Sequence, residues 1–158
     1  MSNKSLNFNK KRTKCKQNFK INGENIETVD SYSYLGVLFN FNGSFCTTRK
    51  KLVDQAQKSL YALYRKIKNI NIPVDLQLKL FDSLVSPVLL YASEVWGFEK
   101  LDDVEKVHLQ FCKNILKIRS STPNYMVYGE LGRFPMETII KRKIVLYWNS
   151  IILDNNNK

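Results

Sequence analysis

With a single histidine and only three cysteines, the chain is short of the residues from which most metal and nucleophilic sites are built. Cys15, Cys46 and Cys112 stand far apart with no Cys-x-x-Cys spacing. That excludes a disulfide framework and a zinc knuckle, and predicts free thiols in a reducing, intracellular compartment, nuclear or cytoplasmic. His108 and Cys112 lie one helical turn apart, but zinc takes three or four protein ligands and no second cluster completes such a half-site. A packed imidazole and a buried thiol are expected instead. Any Ser/His/Asp or Cys/His mechanism would have to be built on His108, and no nucleophile signature points to it. A Walker loop and a dinucleotide glycine fingerprint are both missing. Asp102-Asp103 is the one paired-carboxylate candidate for two-metal chemistry, and it falls where a helix N-terminus attracts negative charge. No catalytic residue, metal site or cofactor is therefore expected. Long apolar runs are also missing: the longest lies between Asp82 and Glu94, is broken by Ser86 and Pro87, and is too short to span a bilayer. The polar, basic N-terminus has no signal-peptide core. No membrane partner is expected.

Acid is scarce: 14 Asp and Glu face 25 Lys and Arg, a net charge of +11. The excess is uneven. Residues 1–20 hold seven bases and no acid, and residues 49–68 hold seven against Asp54 alone. Such clustering points to a polyanionic partner, nucleic acid before an acidic membrane surface, with a merely solvated charged surface as the alternative. Apolar residues make up 44% of the 158, enough for one domain with a true core, or a small domain with an appendage.

The strongest β signal is residues 31–43, where aromatic and branched residues run until Asn42-Gly43. Alternation puts Leu35, Val37, Phe39 and Phe41 on a core face and Tyr32, Tyr34, Gly36 and Leu38 on the other. The second face is either an ordinary buried sheet face or a notch where a ligand approaches the backbone beside Gly36. Upstream, a basic lead holds only Leu6 and Phe8 as large apolar groups, and Asn22-Gly23 predicts a tight hairpin in which Phe19 and Ile21 pair with Ile26.

From Ser44 the period becomes helical. Leu52, Ala56, Leu60, Leu63, Ile67 and Ile70 predict an amphipathic helix ending before Pro73, its other sides carrying Arg49, Lys50, Lys51, Lys58, Arg65, Lys66 and Lys68. A second helix is predicted from Pro73 or Asp75 to Trp96, closed by Gly97. Its apolar side is Leu76, Leu80, Leu84 and Val88, it kinks near Val85 because of Pro87, and it is the most buried helix. A third, 101–119, has Asp102, Asp103 and Glu105 at its start and Lys113, Lys117 and Arg119 at its end, matching the helix dipole. Ser121-Thr122-Pro123 caps a short fourth, ended by Gly129 or Gly132. Pro135 opens a fifth, with Met136, Ile140, Tyr147, Trp148, Ile151 and Ile152 on its apolar side. The fold class is α+β, mainly α. It comprises a basic lead and small antiparallel β-hairpin unit (1–43), a bundle of about five helices (44–154), and a polar tail (155–158).

Several stretches together resemble a known family. Val29-Asp30-Ser31-Tyr32-Ser33-Tyr34-Leu35-Gly36-Val37 is similar to the Tyr-Leu-Gly element that follows the palm in reverse transcriptases of non-LTR retrotransposons. Leu52-Val53-Asp54-Gln55-Ala56, then Leu84-Val85-Ser86-Pro87-Val88-Leu89-Leu90-Tyr91-Ala92-Ser93-Glu94-Val95-Trp96-Gly97, and Gly129-Glu130-Leu131-Gly132-Arg133-Phe134-Pro135 follow in the family's order. Over residues 17–150 the chain resembles the end of the palm, the thumb and the segment beyond it in jockey-like elements. In that family the catalytic aspartates lie upstream of the Tyr-Leu-Gly element, and nothing upstream of Tyr34 supplies them.

The resemblance therefore implies a catalytically incomplete C-terminal fragment of an RNA-directed DNA polymerase, with Mg²⁺ belonging to the full-length parent alone. It implies a primer-grip-like role for Tyr34, Leu35 and Gly36, and nucleic-acid binding by the first helix of a thumb-like bundle, through Arg49, Lys50, Lys51, Lys58, Arg65 and Lys66. The expected partner is a template-primer bound without sequence preference. The alternative is a helical protein-interaction domain with a solvated basic face. Self-association through an exposed Trp148/Ile152 end of the last helix is expected as well.

Overall fold

The computed structural model of the chain describes residues 4–6, 19–21 and 23–156. It is mainly helical with a small β portion, as the periodicities predict. The chain divides into two compact units, Met1–Thr48 and Arg49–Lys158.

In the first unit β1 (Lys4–Ser5), β2 (Phe19–Ile21) and β3 (Glu24–Thr28) form one sheet in the order β1-β3-β2. β2 runs antiparallel to β3 with Phe19 opposite Ile26, and β1 runs parallel to it. Ile21 pairs with Glu24 rather than Ile26. Gly23 takes φ 85° in the turn. Asn22, Phe8, Cys15, most of the basic lead and the last two residues of the polar tail lie outside the described residues.

The single strand expected over the aromatic run is instead a hairpin, β4 (Ser31–Tyr34) with β5 (Val37–Asn40), folded back at Leu35-Gly36. Its register sets Tyr34 against Val37 and Tyr32 against Phe39. A two-residue turn keeps paired residues on one side of the sheet, so Val37 and Phe39 share a face with the two tyrosines rather than opposing them.

The second unit is a helical bundle. α1 (Cys46–Ile67) enters it and buries Leu52, Val53, Ala56, Leu60 and Leu63. It stops at Ile67, and Ile70 is exposed. Asn69 and Asn71 compete for the backbone's hydrogen bonds and end the helix before the apolar spacing does.

α2 (Val74–Leu84) breaks at Val85, as Pro87 requires. The chain does not resume as one helix. α3 (Ser86–Leu89) ends, Ala92 turns left-handed at φ 52°, and α4 (Ser93–Trp96) is a single turn. The reversal at Ala92 costs about 1–2 kcal/mol, offset by complete burial of Trp96, whose indole N–H donates to the Tyr91 carbonyl at 2.7 Å.

The inward line through this region is Phe81, Val85 and Leu89, while Leu76 and Leu84 are exposed. Where apolar residues ring a helix, spacing leaves two candidate stripes, and the bulky aromatic of one decides which is buried. Gly97 has an ordinary negative φ. Its role is space: a Cβ there would overlap the Ile140 methyl and the Ser93 carbonyl.

Burial is not concentrated in the Pro-kinked segment: α5 (Asp102–Ile115) wholly encloses Val104, Val107, His108, Phe111 and Cys112. Asp102, Asp103 and Glu105 occupy its first turn as expected. Lys117 and Arg119 lie beyond its end, because Lys117 turns left-handed at φ 53°.

α6 (Asn124–Leu131) has Pro123 at its N-cap without a side-chain cap, and ends at Gly132 with φ 60°. α7 (Met136–Asn156) packs on α4 and α5 through Met136, Ile140 and Ile144. It runs into the expected tail. Tyr147, Trp148 and Ile152 are about half exposed, so Tyr147 does not help dock the helix. The bundle has seven helices among the described residues, against about five expected, because the second predicted helix is three. No helix among them is long and apolar enough to cross a membrane.

Candidate nucleic-acid interface

The hairpin turn holds Leu35 at φ 47° and Gly36 at φ 81°, both left-handed as in a type I′ turn. Glycine adopts this geometry freely, whereas a leucine bears about 1–2 kcal/mol of strain. Yet Leu35 stands there, 72% exposed, beside Tyr34 at 58%. Behind the tip the hairpin is fastened. The Leu38 N–H donates to Thr48 Oγ1 at 2.9 Å, and that hydroxyl donates back to the Leu38 carbonyl at 3.0 Å. Phe39 meets Phe45 edge to face at 5.6 Å, and the Phe41 N–H extends the ladder to the Asp30 carbonyl at 2.9 Å. Tyr34, Leu35 and Gly36 thus form one rigidly backed, protruding turn.

On α1 the basic residues divide. Lys50, Lys51, Lys58, Arg65 and Lys66 are all exposed. At the helical spacing of 100° per residue, Lys50, Lys51, Lys58 and Arg65 fall in one sector of about 100° with Asp54 and Tyr61 among them, and Lys66 lies to one side. Tyr61 is itself half exposed. Among the described residues none makes an ion pair with these five bases.

Arg49 does not join them. It is buried, with Nη1 2.8 Å from Glu99 Oε2 and Nε donating to both Asp103 oxygens at 2.9 Å. Its guanidinium ties α1 to the start of α5, and this explains Asp103 as an ion-pair partner. Spacing alone missed a further group at the far end of α1. There a cavity of about 470 Å³ is lined by Arg65 and Lys68 together with Asn71, Asn114 and Lys117.

The other cluster of titratable groups is interior. His108 lies between the rings of Phe81 and Tyr128, each 5.5 Å away. Arg133 Nε donates to His108 Nε2 at 3.4 Å, and the other ring nitrogen, Nδ1, lies 3.7 Å from Glu105 Oε1. The Tyr128 hydroxyl donates to the same Glu105 oxygen. Burial pushes the Glu105 carboxyl up, but His108 and the Tyr128 hydroxyl outweigh it and hold the group below its usual range. Burial raises the Cys112 thiol to about 11, which keeps it protonated at neutral pH. His108 and Cys112 serve packing in this geometry. Among the described residues no three His, Cys, Asp or Glu side chains are placed to hold a metal ion.

No protein-family model matches this chain, no curated protein matches it in sequence, and no solved structure matches it in fold.

Proposed function

We propose that the chain binds nucleic acid without sequence preference, as a thumb-like module of the non-LTR reverse-transcriptase kind that carries binding rather than catalytic roles. The observation that carries this reading is the exposed face of α1, where Lys50, Lys51, Lys58, Arg65 and Lys66 stand off the buried stripe with Asp54 as the acid among them. Cations spaced along a helix meet successive phosphates of a strand and carry no base-reading information. The strained turn of Tyr34, Leu35 and Gly36 supports a second contact of primer-grip type, in which the backbone and the Tyr34 ring approach a strand end. Strain retained at an exposed tip fits a role in binding better than one in stability.

The test is duplex binding as a function of salt. Replacing Lys50, Lys51, Lys58, Arg65 and Lys66 with Gln is expected to weaken binding and to flatten the log–log salt slope by about 0.9 for each phosphate of a B-form duplex that is no longer neutralised. The fold persists, since none of the five is buried. An unchanged slope overturns the reading in favour of a protein-interaction domain. The exposed Val145, Leu146, Trp148 and Leu153 of α7 are the observation behind that alternative.

A further inference from the structure

The cavity at the C-terminal end of α1 has a composition the basic face does not explain. Arg65, Lys68 and Lys117 line it, and among the described residues no carboxylate does. Asn71 and Asn114 add amides, and Ile67, Ile70, Ile72 and Ile115 add apolar wall. Its volume of about 470 Å³ falls within the ~300–1,000 Å³ of small-molecule sites. α1 and α5 both end here, and cations near helix C-termini are favoured by the dipole. That accounts for Arg65, which lies in the last turn.

The dipole favours the charge of Lys117 as well, just past the end of α5, but not that residue's left-handed backbone. The Ile118 N–H bonds to the Lys113 carbonyl at 3.1 Å and the Lys117 N–H to the Asn114 carbonyl at 3.1 Å. This is a Schellman ending, whose left-handed position belongs to glycine or asparagine. A lysine there is strained, and its place in the fold puts a third cation on the cavity.

From this geometry we infer that the cavity is a site for a nucleoside phosphate. The three cations hold the phosphate, the amides reach the sugar hydroxyls, and the isoleucine wall receives the face of the base. The phosphate has two sources, the 5′ end of a strand or a free mononucleotide. The first rests on the nucleic-acid reading above, and the second does not.

The experiment compares a 5′-phosphorylated with a 5′-hydroxyl single-stranded RNA of one sequence, and adenosine monophosphate alone, on the full chain. Wild type is compared with Lys117→Gly, which removes the cation and relieves the backbone, and with Asn114→Asp, which sets a carboxylate among the bases. The end phosphate is expected to tighten binding about tenfold, with both variants abolishing that gain while duplex binding through Lys50, Lys51 and Lys58 is retained. Monophosphate binding that both variants abolish, without an end-phosphate gain, assigns the site to the free nucleotide. It upholds the site even if duplex binding fails. A wild-type chain that neither distinguishes the two RNA ends nor binds the monophosphate overturns the proposal, and leaves the duplex reading untouched. Gains that survive both substitutions place the phosphate elsewhere and overturn it too.

Discussion

Arg133 grips Asp82 through two parallel hydrogen bonds, Nη1 to Oδ2 at 2.7 Å and Nη2 to Oδ1 at 2.6 Å. The same guanidinium donates to His108 through Nε and lies 5.9 Å from the centre of the Phe81 ring. One planar side chain therefore joins the loop after α6 to α2 and α5. Gly132 is what delivers it, because the left-handed turn there ends α6 and lets the Arg133 N–H return to the Tyr128 carbonyl at 2.9 Å.

Arg133→Met is expected to destabilise the second unit by about 1.5–3 kcal/mol, the range for hydrogen bonds to a charged partner. Asp82 is half exposed, which keeps the loss below that of a fully buried pair. Arg133→Lys should recover little, since an ammonium cannot make two parallel bonds and reach His108 as well. Urea midpoints for the three proteins check the order.

Glu105 gives the stability a pH dependence of known sign. Its carboxyl titrates below the ordinary value of 4.5 in the folded chain. Its ionised form therefore stabilises the fold above that value, and the contribution is lost as pH falls through the lower, folded value. Urea midpoints taken from about pH 6 to about pH 3 should fall more steeply for wild type than for Glu105→Gln, which cannot titrate. Parallel curves would show that Glu105 contributes nothing to acid unfolding.

Leu35→Asn turns the strained tip into Asn-Gly, the pair best suited to a type I′ turn. A gain of up to about 1 kcal/mol in the first unit is expected, as the left-handed penalty is relieved. If the tip contacts a strand end, the same variant binds primer-template more weakly while being more stable. A stabler variant with undiminished binding would remove the tip from the interface.

Past Ile144, α7 exposes Val145, Leu146, Trp148, Ile152 and Leu153. Burying one such side chain is worth about 1.5–3 kcal/mol, so the chain is expected to self-associate through this end. Sedimentation of the Trp148→Ser, Ile152→Ser double variant should shift toward monomer with helix content kept. A clean wild-type monomer at tens of micromolar would contradict the expectation.

How much of this was readable beforehand varies with the residue. On α7, Ile144 rather than Tyr147 completes the buried side. Met136 and Ile140 lie on the apolar side that spacing assigns to that helix, and the acids opening α5 answer the dipole, so both follow from local rules. The turn at Leu35-Gly36 does not, because strong β-formers flank it and the first turn residue is a leucine. Ala92, before α4, and Lys117, after α5, likewise turn left-handed at positions where helix-favouring residues stand. The basic face was legible as charge. The withdrawal of Arg49 was not, because Glu99 and Asp103 lie about fifty residues away and meet it through the fold. The cavity at Lys117 was invisible for the same reason, since its lining comes from three separated stretches.

The two tryptophans occupy opposite environments, Trp96 wholly enclosed and Trp148 53% exposed. The chain thus contains two intrinsic optical probes that report different events. Emission from Trp96 follows unfolding of the bundle, and quenching of Trp148 by iodide follows coverage of α7, so one cuvette separates loss of structure from assembly.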